Sequence, residues 1–108
     1  MILYHGTRYL NEIVASDVLR CPEIGHTHVS LTTDFKMAQY WATLAREHPA
    51  LESPGILAFH RTTLIRAGYL LHLFDGTGAD DKAEIACPKD IAPLSNLAFA
   101  VMDVRAVR

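Results

Sequence analysis

The residue pattern predicts an α+β domain with a small, mainly antiparallel sheet and two or three helices. Three observations predict it. Two amphipathic helical stretches fall in the first half of the chain. Short apolar or alternating runs crowd the second half without helical patterns alternating between them, which disfavours a doubly wound sheet. The 108 residues are 50% hydrophobic and 20% charged, enough to form the core of one domain spanning residues 1–108 and unlike a disordered chain.

The elements follow in order. "MILYH" at residues 1–5 is a short apolar strand that stops on His5. In residues 8–19, Leu10, Ile13, Val14 and Val18 recur at three- and four-residue steps, the signature of an amphipathic helix. Pro22 and Gly25 break it. "HVSLT" at 28–32 is a strand, after which Thr32 or Thr33 caps a helix over 34–48, with Asp34 in its first turn. Ala38, Trp41, Ala42 and Ala45 line one face of that helix, and the alanines allow it to sit close to a sheet. "PALESPG" is a loop, "ILAFH" at 56–60 a strand, and 61–68 a turn or short helix ending at Gly68. "YLLHLF" at 69–74 and "KAEIAC" at 82–87 are strands around the flexible "DGTGADD". Pro88 to Pro93 is irregular, and residues 96–104 close the sheet, which makes about six strands.

Composition narrows the function. The formal net charge is −2, with no run of Lys or Arg, so no clear nucleic-acid footprint is present. The start of the chain does not read as a signal peptide, and no apolar run reaches the ~18 residues of a membrane span, so a soluble, cytoplasmic protein is expected. Cys21 and Cys87 lack C-x-x-C spacing and read as two buried thiols. His26 and His28 stand two apart, but zinc needs further ligands that no local cluster supplies; they read as turn and strand residues, and no metal is expected. His60 and His72 read as surface residues at strand ends, and His48 as solvated. There is no G-x-S-x-G elbow, and the glycine-containing "DGTGADD" is acidic and repels phosphate.

Three places retain chemical interest. In "YHGT", Gly6 allows a ligand close to the backbone and His5 offers a donor and an acceptor. Tyr40 and Trp41 put two aromatic rings on the second helix, and Glu84 places a carboxylate in an apolar strand. Each has an ordinary alternative: a strand-end histidine, core aromatics, and a carboxylate facing water.

Together, "YHGTR", "SLTT" followed by "DFKMAQYWATLA", and "AEIACPKDIAPLSNLAFAVMDV" resemble the ADP-ribosyltransferase superfamily of the H-Y-E type. They are closest in flavour to small bacterial rifampicin ADP-ribosyltransferases. The resemblance spans roughly residues 3 to 104 and rests on the order of short motifs. It implies a split sheet and an enzyme that cleaves NAD and passes ADP-ribose to an intracellular acceptor, as a phage or toxin-type effector does. NAD is then a substrate and no metal is needed.

The resemblance also implies roles. His5 donates to the ribose hydroxyls, and the backbone at Gly6 pairs with the carboxamide. Thr7 and Ser30 belong to the same pocket, and Arg8 reaches the pyrophosphate or is a solvated helix-start arginine. Tyr40 stacks on nicotinamide, with Trp41 as a possible second contact. Glu84 stabilises the oxocarbenium-like charge. Asp80 and Asp81 sit in an acceptor-facing loop and compete with Glu84 for the catalytic role. Two positions depart from the family. Ser30, preceded by Val29, stands where H-Y-E members carry a tyrosine, and Lys82 replaces the Glu or Gln that arginine-modifying members carry. The first departure keeps a degenerate binding module open as the alternative; the second disfavours arginine as acceptor. RNA 2′-phosphotransfer, a related NAD-consuming chemistry, lacks its basic cluster here.

Overall fold

A computed structural model describes residues 1–21, 28–43, 52–73 and 84–104. In chain order they form β1 (Ile2–Thr7), α1 (Leu10–Ser16), β2 (Val29–Thr32), α2 (Phe35–Thr43), β3 (Gly55–His60), α3 (Arg61–Arg66), β4 (His72–Leu73), β5 (Glu84–Cys87), α4 (Leu94–Leu97) and β6 (Ala98–Asp103). The architecture is α+β. One sheet runs β4-β5-β2-β1-β3-β6, and every neighbouring pair is antiparallel.

Strand β1 holds the centre of this sheet. It pairs with β3 along its whole length, from Ile2 opposite His60 to Thr7 opposite Gly55. Its ladder with β2 is a single registered pair, Tyr4 opposite Thr32. The sheet is therefore continuous but thinnest at the β1–β2 seam. β1 does not stop on His5, as the sequence suggested. Gly6 and Thr7 continue the strand because β3 offers them Ile56 and Gly55 as partners.

The two faces of the sheet carry separate cores. Leu3, Val29, Leu31, Leu57, Phe59 and Cys87 pack with Leu10 of α1 and Leu64 of α3. On the other face Ile56 packs with Ala38 and Ala42 of α2, and with Val104. Both alanines are fully buried, as the helical pattern predicted, whereas Trp41 is half-buried. The close approach is made at Gly6. A Cβ placed there would run into the carbonyl oxygen of Ala38, with the Ala38 carbonyl carbon at 2.8 Å and the Ala42 nitrogen at 3.1 Å. The space that the sequence reading assigned to a ligand is taken by the backbone of α2.

Helix boundaries differ from the sequence expectation for local reasons. α1 is shorter than residues 8–19 because Asp17 adopts φ 60°, a left-handed conformation that ends the helix. Val18 falls outside it, and Val14 on it is 48% exposed. α2 is capped by Asp34 itself, whose Oδ1 accepts from the Lys36 amide at 2.9 Å, while Thr32 Oγ1 accepts from the Asp34 amide at 3.0 Å. The expected end of this helix, with Ala45 and His48, lies outside the described residues. Within residues 61–68, Arg61–Arg66 form the helix α3, and Gly68 follows it at φ 94°. The expected strand over 69–74 is reduced to His72–Leu73 among the described residues, because Tyr69 turns into the core. The expected strand over 96–104 opens with the short α4, so four helices are described where two or three were expected.

The irregular segment before α4 is tied to the residues after α1. Leu19 and Ile91 exchange reciprocal backbone hydrogen bonds of 2.9 Å. Asp17 accepts from Leu94 N through its carbonyl at 3.0 Å, and from Ser95 N and Oγ through its carboxylate at 2.8 and 3.0 Å. The Cys21 amide donates to Asp90 Oδ1 at 2.6 Å, and the Tyr69 hydroxyl lies 3.1–3.2 Å from both backbone polar groups of Ala92. Among the described residues, no helix is long and apolar enough to cross a membrane.

Because the Ala38 carbonyl is backbone and cannot swing aside, Gly6→Ala is expected to destabilise the fold by ~1–3 kcal/mol or more, the usual range for forcing a methyl into a packed site. Chemical denaturation of the variant against wild type measures this.

Candidate functional site

A cavity of about 420 Å³ opens beside the thin β1–β2 seam. It is lined by His5 and Thr7 of β1, Ile13 of α1, Arg20, and His28 and Ser30 at the start of β2. The volume lies within the range of ~300–1,000 Å³ typical of small-molecule sites. Its far wall, residues 18–20, is the segment pinned by the Leu19–Ile91 bonds.

His5 spans the seam. Its Nδ1 stands 2.7 Å from the carbonyl oxygen of Ser30. A carbonyl only accepts, so Nδ1 carries the proton and donates. Burial lowers the His5 pKa below its ordinary 6.5, opposed in part by the bond to Ser30. The ring is therefore neutral at pH 7, and Nε2 is an acceptor. Where the sequence expectation was a donor, Nε2 of this tautomer is able to accept a hydrogen bond.

Glu84 is held from two sides. Its Oε1 accepts from Ser30 Oγ at 2.5 Å and lies 3.3 Å from His28 Nε2. The side chains of His28 and Glu84 are only 13% and 14% exposed. The carboxylate therefore does not point freely into water, the ordinary fate of a polar residue on a half-exposed strand. The register explains the meeting. β2 and β5 pair with Ser30 opposite Ala86 and Thr32 opposite Glu84, which puts Ser30 and Glu84 on the same face, one diagonal apart. His28 precedes Ser30 by two residues and follows the same alternation. Both donors to Glu84 line the cavity. Expected only as a turn or strand residue, His28 is thus a member of the site, and the hint available in sequence was its i, i+2 spacing from Ser30.

The remaining expected residues are placed differently. Thr7 is buried, and its Oγ1 accepts from the Tyr9 amide at 3.0 Å, fastening the turn into α1. Arg8, expected to reach a pyrophosphate or to stand in solvent, has its Nη1 3.7 Å from Oε1 of Glu52, whose side chain is 2% exposed. Tyr40 is 58% exposed and borders a separate depression with Asp34, Lys36 and Met37. Trp41 is half-buried on α2, outside the described lining of the His5 cavity. Asp80, Asp81 and Lys82 lie outside the described residues, as does His26. Cys87 is buried and its thiol pKa is raised by that burial, so it is a poor nucleophile; Cys21, expected to be buried, is half-buried. His60 and His72 are exposed, and His60 stacks on Phe99 with ring centres 4.1 Å apart.

Comparison with family models, with curated proteins and with solved structures finds no match to this chain.

A histidine whose pKa is depressed in the folded state makes its full contribution to stability above its unfolded value of 6.5, and loses it as pH falls below that value through the folded one. Stability measured by denaturation at pH 7.5 and pH 5.5 is therefore expected to drop on acidification, and the drop should shrink in His5→Gln. An equal drop in both proteins would show that His5 does not contribute.

Proposed function

We propose that the chain is an NAD-dependent ADP-ribosyltransferase whose reacting centre lies at the cavity beside Glu84. The observation that carries this reading is the carboxylate itself. It is shielded from bulk water and anchored by His28 and Ser30, two residues that line the cavity with His5, although Glu84 itself is not among the described lining. A fixed anion in a place of reduced solvation stabilises a cation developing nearby far better than one in water does.

The chemistry follows from that placement. The bond between the nicotinamide nitrogen and ribose C1′ of NAD breaks, and its electron pair leaves with neutral nicotinamide. Positive charge spreads over C1′ and the ring oxygen, opposite the Glu84 carboxylate. A nucleophilic oxygen or nitrogen of the acceptor then bonds to C1′ and gives up its proton. His5 Nε2, as an acceptor, holds a ribose hydroxyl and orients the sugar. Ser30 serves Glu84 through its hydroxyl and His5 through its carbonyl, so one residue sets both partners. With a serine in place of the family's tyrosine, the aromatic contact to nicotinamide falls to Tyr9, which lines the cavity, or is missing. The acceptor-facing role stays with Asp80 and Asp81, and the cellular setting is that of a phage or toxin-type effector.

A second reading is favoured by one observation: the space at Gly6, where a carboxamide would approach, is filled by α2. On that reading the domain binds a partner without turning over NAD.

Release of nicotinamide from NAD by the purified protein, with cell lysate supplying acceptors, separates the two. Glu84→Gln keeps the shape but removes the charge, and is expected to reduce turnover by ~10²–10³-fold, the cost of losing one preorganised electrostatic partner. His5→Gln is expected to weaken NAD binding in a thermal-shift titration, where a bound ligand raises the melting temperature. No nicotinamide release and no thermal shift at millimolar NAD would favour the binding module.

A further inference from the structure

We infer that His28 is a positioning residue for Glu84, holding one carboxylate oxygen so that the other is presented to the ligand; this rests on the ADP-ribosyltransferase reading above. Three observations carry it. His28 Nε2 and Ser30 Oγ converge on the same atom, Oε1, at 3.3 and 2.5 Å. Among the described residues, both of these bonds go to Oε1 and neither to Oε2. Finally, His28 itself borders the cavity with His5 and Ser30.

The physical need for a second donor is orientational. A carboxylate held by one hydrogen bond still turns about its last torsion, which is broad and soft. A second donor on the same oxygen, reaching from two residues before Ser30, just ahead of β2, limits that rotation. His28 does this by donating Nε2–H to the carboxylate oxygen, which can only accept. His28 is not a reacting group in this scheme, because it acts only through Glu84. The contact pairs residues far apart in sequence, so it exists only when β2 and β5 are in register.

The test uses the whole chain and two substitutions. His28→Ala removes the donor and His28→Gln keeps an amide N–H of similar reach. In a nicotinamide-release assay, His28→Ala is expected to lower kcat by up to about 100-fold, the scale of a displaced catalytic group, with KM for NAD unchanged. His28→Gln should recover most of kcat. A wild-type kcat in His28→Ala overturns the inference, and so does a loss that His28→Gln fails to recover. The contact is tested without NAD by a double-mutant cycle of His28→Ala with Glu84→Gln, read as shifts in thermal midpoint. Non-additive shifts support the pairing, and additive shifts overturn it whatever the NAD assay gives. If wild type releases no nicotinamide while the cycle is non-additive, the enzymatic reading fails and the role inferred for His28 in turnover falls with it, while the contact itself stands.

Discussion

The contact between the backbone of α2 and the bare face of Gly6 sets the geometry of this molecule. β1 is the central strand of the sheet, and α2 lies against it closely enough to exclude even a methyl group. Ala38 and Ala42 make the matching face, so the helix rests on the sheet through small residues on both sides. Because α2 follows β2 after only Thr33 and Asp34, its seat on β1 also fixes where β2 runs. The orientation of Ser30 and His28 toward Glu84 depends on that placement.

The seam between β1 and β2 shows how a weak place in a sheet becomes useful. A full ladder there would occupy the backbone groups with one another. Instead one registered pair closes it, and the His5 side chain reaches across to the Ser30 carbonyl. Two consequences follow from that one bond. The partly buried Ser30 carbonyl is satisfied, and the imidazole is held in the tautomer that leaves Nε2 as an acceptor. The same Ser30 turns its hydroxyl to Glu84, so the seam, the imidazole and the carboxylate form one connected polar network.

Much of the fold was legible in sequence. The helical spacing of Ala38 and Ala42, the strands "HVSLT" and "ILAFH", and the α+β class all follow from local periodicity, which depends on near neighbours. The ends of elements were less legible because distant partners set them. Gly6 and Thr7 extend β1 through pairing with β3, and Asp17 ends α1 in a conformation braced by Ser95. The candidate site was legible as residue types and not as contacts. His5 and Glu84 stood out singly, while His28 gains its place only from the register of β2 on β5, which no local pattern encodes. Gly6 shows the opposite failure: a glycine beside a histidine suggests access for a ligand, yet the occupant is the helix that carries Ala38, far along the chain.

The bonds that tie Asp17, Leu19 and Cys21 to residues 90–95 bear on the order in which the molecule assembles. One wall of the cavity is encoded early in the chain but braced by a segment made near the end of it. Closing so long a loop costs entropy before any contact offsets it, so this wall belongs to the late steps of folding. Glu84 and its partners on β2 are similarly separated. A nascent chain that has already formed β1, α1, β2 and α2 therefore has His5 and Ser30 but neither the braced wall nor the carboxylate. The braced wall and the Glu84 carboxylate arrive together, with residues 84–95.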